Sequence, residues 1–205
     1  QNKALELSLF LSFPASIALL VGSKEITSAL FGYGQFDQEA VKNSANALYF
    51  FSLGLPAFAM IKVFSSFFFA NHDTKTPFYI SLISVLLNIF ISVIFFKSVG
   101  FIIIPIATTI SSWFNIIILF YLSKKRDLFK FSNTFLVNFL KIIFSSILLG
   151  IFFYYLLHLF DKQLVFEQSF KSIYLILSVL LALGFYLIIS FYIKAFQLED
   201  IKLKY

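Results

Sequence analysis

Long apolar runs separated by short polar connections fill the whole chain, and six of them reach the length of about 20 helical residues that a bilayer crossing takes. The pattern predicts helices at about 5–21, 45–70, 77–96, 100–122, 134–160 and 173–193. Pro14 falls inside the first, Gly54 and Pro56 inside the second, and Pro105 in the opening turns of the fourth. Thr76 is expected to cap the third helix, with Pro77 at its first helical position, where a missing N–H costs nothing. The longest connection, 22–44, holds EITSALF, which suits a short helical turn, and FGYGQFD, a Gly-containing turn. Asp37 is placed to cap the second helix, with Ala40 as its third residue. The first run has the apolar centre of a secretory signal, but five further runs follow it. Nowhere do the runs show the alternation of a transmembrane β-barrel strand.

Polar side chains are costly in hydrocarbon, so their positions mark the faces that meet protein or water. On the second helix Ala45, Ser52, Ala59 and Ser66 recur every seven residues, and Lys62 lies on the same stripe, three after Ala59 and four before Ser66. Lys62 sits about nine residues, or roughly 13 Å, from the connection at Asn71. Three readings stand for it: a stem that snorkels to the interface, a cation lining a polar cavity for an anionic substrate, or one half of a buried ion pair. Ser81, Ser84, Asn88 and Ser92 form a continuous stripe on the third helix, and Thr108, Ser112 and Asn115 one on the fourth. Such stripes serve as interhelical hydrogen-bond contacts; alternatively, Asn88, Ser92 and Thr108 offer oxygens to a hard cation such as sodium. Helices five and six carry few polar breaks and read as peripheral and lipid-facing, or as walls of a groove for a long hydrocarbon chain.

Composition agrees with this pattern. Apolar types make up 60% of the 205 residues and charged ones 13%, against about 25% charged in ordinary globular domains. That excludes a soluble enzyme, a nucleic-acid module and a disordered tail. There is no Cys, and the two His, His72 and His158, fall near opposite faces. No phosphate-cradling Gly loop and no intramembrane carboxylate pair is present, so catalysis is not expected. Of the 16 Lys and Arg, eleven (Lys3, Lys62, Lys75, Lys124, Lys125, Arg126, Lys130, Lys141, Lys194, Lys202 and Lys204) fall at one end of the predicted bundle. Five (Lys24, Lys42, Lys97, Lys162 and Lys171) fall at the other. The bias of Lys and Arg toward the cytoplasmic side then puts both termini in the cytoplasm. The segment SKKRDLFKFSN, with Leu128, Phe129 and Phe131 among its basic residues, is expected at that interface, separating the first four helices from the last two.

Two stretches carry a resemblance: LSFPASIALLVGSKEITSALFGYGQFD, and ALYFFSLGLPAFAMIKVFSSFFFANHDTKTP. With Ala29-Leu30-Phe31, Gly34 and Phe36, then Gly54-Leu55-Pro56, Lys62-Val63 and Asp73-Thr74-Lys75-Thr76-Pro77, the chain closely resembles the second half of the MurJ/MviN lipid II flippases. The likeness is good from residue 4 to about 126; the last two helices match in number and hydropathy.

The resemblance implies an all-α polytopic membrane protein whose six transmembrane helices correspond to the last six of a fourteen-helix flippase of the multidrug/oligosaccharidyl-lipid/polysaccharide superfamily. Residues 1–122 would be four helices of the second lobe, 123–133 a basic interfacial linker, and 134–205 two added helices with a short cytoplasmic tail. The implied function is translocation of the undecaprenyl-pyrophosphate-linked peptidoglycan precursor across the bacterial inner membrane by alternating access, driven by the membrane potential or a cation gradient. Its partners would be that lipid-linked precursor, membrane lipids and an N-terminal lobe, with no nucleic acid. Lys62, Ser66 and Ser52 are the substrate-cavity candidates, Asp73, Lys75, Thr76 and Pro77 the family motif, and Gly54 and Pro56 a candidate hinge. Asn88, Ser92 and Thr108 match the sodium-binding positions of some members, with Ser92 standing where the family has an acid; no other cofactor is implied. The last two helices would shape a groove for the lipid tail. The alternatives are another polyprenyl-linked glycan flippase, a cation-coupled drug exporter of the same superfamily, or a non-transporting scaffold for cell-wall synthesis.

Overall fold

The computed structural model describes residues 2–130 and 132–195. Phe131, Lys202, Lys204 and the C-terminal tail, all used in the sequence reading, lie outside the described residues. Seven α-helices follow in order: α1 (Asn2–Val21), α2 (Ser23–Phe31), α3 (Gln38–Ala70), α4 (Lys75–Val99), α5 (Ile103–Lys125), α6 (Asn133–Leu159) and α7 (Lys171–Tyr192). Five stretches among the described residues are long and apolar enough to cross a membrane. One of them, Lys75–Lys125, is 51 residues long, about 76 Å as straight helix and more than twice the hydrocarbon thickness. It folds back on itself at Gly100–Ile102, a single 3₁₀ turn. The Nδ2 of Asn88 donates to Thr108 Oγ1 at 2.9 Å, and that of Asn115 to Ser81 Oγ at 3.5 Å. Both pairs are centred on Ser98, so α4 and α5 form an antiparallel hairpin in one register. The six predicted spans are therefore all present as helices.

The helices pack in the order α4, α5, α3, α1, α6, α7, with α2 lying across α3 and α7 at one end. One apolar core joins α1, α6 and α7 through Phe10, Leu149, Phe153, Leu175 and Ala182. A second joins α1, α3 and α5 through Leu9, Ala57, Phe64, Phe68 and Leu119. At Gly150 a Cβ would stand 2.5 Å from Ile17 Cγ2, so only glycine allows α6 this close to α1. α6, expected to be peripheral, instead buries Ser145, Ser146, Gly150 and Phe153 against its neighbours. α4 is the outlying helix: only Pro77, Ile80 and Ser84 are buried on it.

The caps correct the sequence reading at one point and agree with it at another. Asp37 accepts the N–H of Ala40 at 2.8 Å, capping α3 as expected. Thr76 does not cap α4. The helix starts at Lys75, and it is Asp73 that accepts both the Thr76 N–H, at 3.0 Å, and the Thr76 hydroxyl, at 2.6 Å. Pro77 is thus the third helical residue, still within the turn where no intrahelical donor is needed. EITSALF is part of a nine-residue helix, α2, rather than an isolated turn.

Candidate functional site

Pro14 and Pro56 break the backbone ladder in α1 and α3. A proline inside a helix deprives the carbonyl four residues earlier of its donor, and such a group is expensive to leave unpaired in a membrane. Both orphaned carbonyls are filled from another helix. The hydroxyl of Tyr186 in α7 donates to Phe10 O at 2.8 Å, and that of Ser16 in α1 to Ser52 O at 2.6 Å. Around the second break, α5 adds Thr109 Oγ1 to Phe50 O at 2.7 Å and Trp113 Nε1 to Leu53 O at 3.0 Å. At Gly54 a Cβ would meet Thr109 Oγ1 at 3.1 Å, which is what lets α5 reach the broken backbone. The Gly54–Pro56 segment is therefore clamped from both sides, by α1 and by α5.

Below this clamp the cavity candidates separate. Lys62 and Ser66, one turn apart, are both exposed, and Lys62 makes no hydrogen bond or ion pair with the described residues. Ser66 bonds back to Val63 O at 2.7 Å. Ser52 is 1% exposed and packs at the contact with α1. Ten residues on, Lys62 lies about 80° around the helix from Ser52. A strict seven-residue repeat also drifts by about 20° per heptad on a straight helix, so the stripe runs from buried Ala45 and Ser52 to exposed Ser66. Of the three cavity candidates on α3, Lys62 and Ser66 are exposed together and Ser52 is not.

The polar stripes of α4 and α5 meet in a groove of about 280 Å³ lined by Ser81, Ser84, Asn88, Thr108, Ser111 and Asn115, with Phe58 and Ile61 of α3 at its edge. Asn88 and Thr108 are brought together, but the contact uses the amide as donor. The Ser92 hydroxyl is enclosed without a partner and does not line the groove. The lining is neutral: Asn88 and Asn115 donate across the two helices, Ser84, Ser111 and Ser112 donate to carbonyls of their own helices, and Asn115 Oδ1 is buried without a hydrogen-bond partner.

At the basic end, the Asp73 carboxylate gathers the starts and ends of three helices. Besides Thr76 it takes the Arg126 guanidinium from the end of α5, and Arg126 lies over the Phe68 ring of α3 at 5.8 Å. The Thr76 hydroxyl and N–H, and then Arg126, hold Asp73 down at about 2, below the ordinary 3.8. Lys75 is exposed and Pro77 buried beside this latch. The motif Asp-Thr-Lys-Thr-Pro is thus a cap and a clasp for α3, α4 and α5.

Sequence reasoning missed Tyr186, Ser16, Trp113 and Lys171. The first three act on carbonyls, which carry no side-chain signature, from partners 36 to 176 residues away. Lys171 is fully buried at the head of α7; its one signal was a lysine adjoining an apolar run with no acid beside it.

These features define a polytopic helical membrane protein in which proline-broken helices are cross-braced by their neighbours' polar side chains. The family model described as Lipid II flippase MurJ matches residues 1–180, and the chain belongs to that family. It is 31% identical over 189 residues to a Rickettsia prowazekii protein described as "Probable lipid II flippase MurJ", covering 90% of the chain and 37% of that relative. A Rhizobium meliloti protein of the same description is 41% identical over 120 residues, covering 58% of the chain and 22% of the relative. Among solved structures, "Lipid II flippase MurJ, inward closed conformation" matches with a TM-score of 0.74 at 27% identity, over 92% of this chain and 37% of that one. The matches thus span between about a fifth and little more than a third of the length of these proteins.

Proposed function

We propose that the chain forms the C-terminal part of a lipid II flippase of the bacterial inner membrane, with residues 1–122 in the second lobe, 123–133 as interfacial linker and 134–205 as the added helices. The observation that carries this is the match of 92% of the chain to a lipid II flippase structure at a TM-score of 0.74. The relatives' descriptions give no support to a different glycan carrier or a drug exporter. An N-terminal lobe would complete the cavity, and the membrane potential or a cation gradient would drive alternating access. The Lys and Arg bias supports an orientation with both ends of the segment cytoplasmic.

Within this reading, Lys62 meets the pyrophosphate. It is an unpaired, exposed ammonium on an apolar span, and Ser66 beside it offers a hydroxyl. The partial desolvation that makes an unpaired cation costly in a membrane also strengthens its attraction for a phosphate. The apolar groove of about 250 Å³ between α1, α6 and α7, lined by Phe10, Pro14, Ala18, Leu149 and Ala182, suits a stretch of lipid tail. In a strain depleted of its own flippase, Lys62→Ala in the full-length protein should slow flipping about tenfold, the worth of one charge-assisted hydrogen bond, while membrane insertion is unchanged and Lys62→Arg retains activity. Full complementation by the alanine variant sinks the role of Lys62.

A further inference from the structure

At the end of the bundle opposite the Asp73–Arg126 latch, α2, the start of α3, the last turns of α6 and the connection after it enclose a cavity of about 510 Å³. Its rim carries charges of both signs: Lys24 and Lys42, and Glu25, Asp161 and Glu167. The side chains of Lys24, Lys42, Glu25 and Asp161 form no ion pair or hydrogen bond among the described residues, and Glu167 accepts only from Gln38 Nε2, at 3.1 Å. Ser28 stands in the wall at 6% exposure, and its hydroxyl has no hydrogen-bond partner. The apolar lining is Val41, Leu157 and Leu164, each under a tenth exposed, with the more open Val165 and Phe166.

The cavity is built rather than left over. Lys171, 0% exposed, donates from Nζ to Gly32 O and to Phe166 O, both at 2.7 Å, with the rings of Tyr33 and Phe166 each 4.4 Å from the ammonium. Its neighbour Ser172 donates to Ala29 O at 2.6 Å. These bonds tie the C-terminus of α2 and the Phe166 wall to the head of α7. The cation is spent on carbonyls, and among the described residues no ammonium pairs with the carboxylates nearby.

A buried hydroxyl without a partner is a cost that a bound ligand removes. A lone anion entering here would face three carboxylates, and a lone cation two ammonium groups; a group bearing both charges meets a partner for each. The position selects further. Val21 and Leu159 end α1 and α6 at this cavity, so it lies where apolar span gives way to polar surface, at headgroup depth.

We propose that this cavity binds a zwitterionic phospholipid headgroup of the phosphoethanolamine type, with Lys24 and Lys42 on the phosphate, Glu25, Asp161 and Glu167 on the primary amine, and the Ser28 hydroxyl donating to a phosphate or ester oxygen. Its volume falls in the range of small-molecule sites. A glycerol headgroup brings no cation for the carboxylates, and a choline headgroup has no N–H to donate to them, so both are disfavoured.

The test uses the protein reconstituted in nanodiscs of equal parts phosphatidylethanolamine, phosphatidylglycerol and phosphatidylcholine, then released for native mass spectrometry of the lipid it retains. Phosphatidylethanolamine should be enriched about tenfold over each of the others, the discrimination expected of one charge-assisted hydrogen bond. The double variant Glu25→Gln, Asp161→Asn, which removes carboxylates that would meet the primary amine, should bring the three lipids to nearly equal retention. Should that variant fold poorly, Ser28→Ala carries the test, since it breaks no hydrogen bond within the described residues and should lower the amount of phosphatidylethanolamine retained with the unfolding temperature unchanged. Equal retention of the three lipids by the wild type, enrichment unchanged in the folded double variant, or an unchanged amount of retained phosphatidylethanolamine in Ser28→Ala overturns the proposal.

Discussion

At the scale of single residues, the internal logic of this chain is the repair of backbone polarity. Pro14 and Pro56 create two acceptors that hydrocarbon cannot satisfy, and Tyr186 and Ser16 supply the donors. The prolines were evident in the sequence; their partners were not, because Tyr186 looks like any aromatic residue of an apolar helix until α7 is laid on α1. Tyr186→Phe should therefore lower stability in detergent by about 1–2 kcal/mol, the cost of leaving a buried acceptor unpaired. Pro14→Ala restores the backbone donor for Phe10 O, so in that background the same Tyr186→Phe change should cost less than about 0.5 kcal/mol. Thermal unfolding of the four proteins of this double-mutant cycle checks the coupling. Additive losses would mean that the hydroxyl acts elsewhere than on the Phe10 carbonyl.

At the scale of elements, helix existence was legible and helix ends were less so. Hydropathy located every span, because solvent imposes it residue by residue. Ends depend on which side chain reaches which N–H, and here Asp73, one turn before the threonine that seemed best placed, wins by accepting two donors. The helices α3, α5 and α7 terminate alike: His72, Asp127 and Lys194 adopt φ of 59°, 54° and 51°, and the next N–H closes on Phe68 O, Ser123 O and Ser190 O. This is the Schellman motif with a side chain where glycine is the common choice. No glycine marked these three stops in the sequence. An L residue in the left-handed region costs roughly 1–2 kcal/mol, so His72→Gly, at an exposed site, should unfold at a higher temperature than wild type. His72→Val, with branching at Cβ, should unfold at a lower one. The order Gly, His, Val in unfolding temperature is the observation required.

At the scale of the whole molecule, the sequence disclosed the solvent and the number of crossings but not their packing order. The polar stripes of α1, α3 and α4 are narrow against long apolar surfaces, so no face names its neighbour; the row from α4 to α7 is set by small contacts such as Gly150 on Ile17 and by the α4–α5 register. α4, exposed along most of its length, presents apolar side chains to lipid or to further polypeptide, as befits a chain matching 37% of a larger protein. The two ends of the bundle differ in charge: Lys124, Lys125, Arg126 and Lys130 stand at the end that carries the Asp73 latch, while the cavity end mixes Lys24, Lys42 and Lys162 with acids. Dense basic clusters tend to stay on the cytoplasmic side, so the orientation to be tested has the latch inside and the cavity outside. The chain has no Cys, so single substitutions report without background. In intact spheroplasts a membrane-impermeant thiol reagent should label Gln38→Cys and Lys162→Cys, and should label Lys75→Cys and Lys125→Cys only after the cells are lysed. The reverse pattern would turn the segment over, and with it would move the Lys24–Lys42 cavity to the cytoplasmic leaflet and the Asp73–Arg126 latch to the outer one.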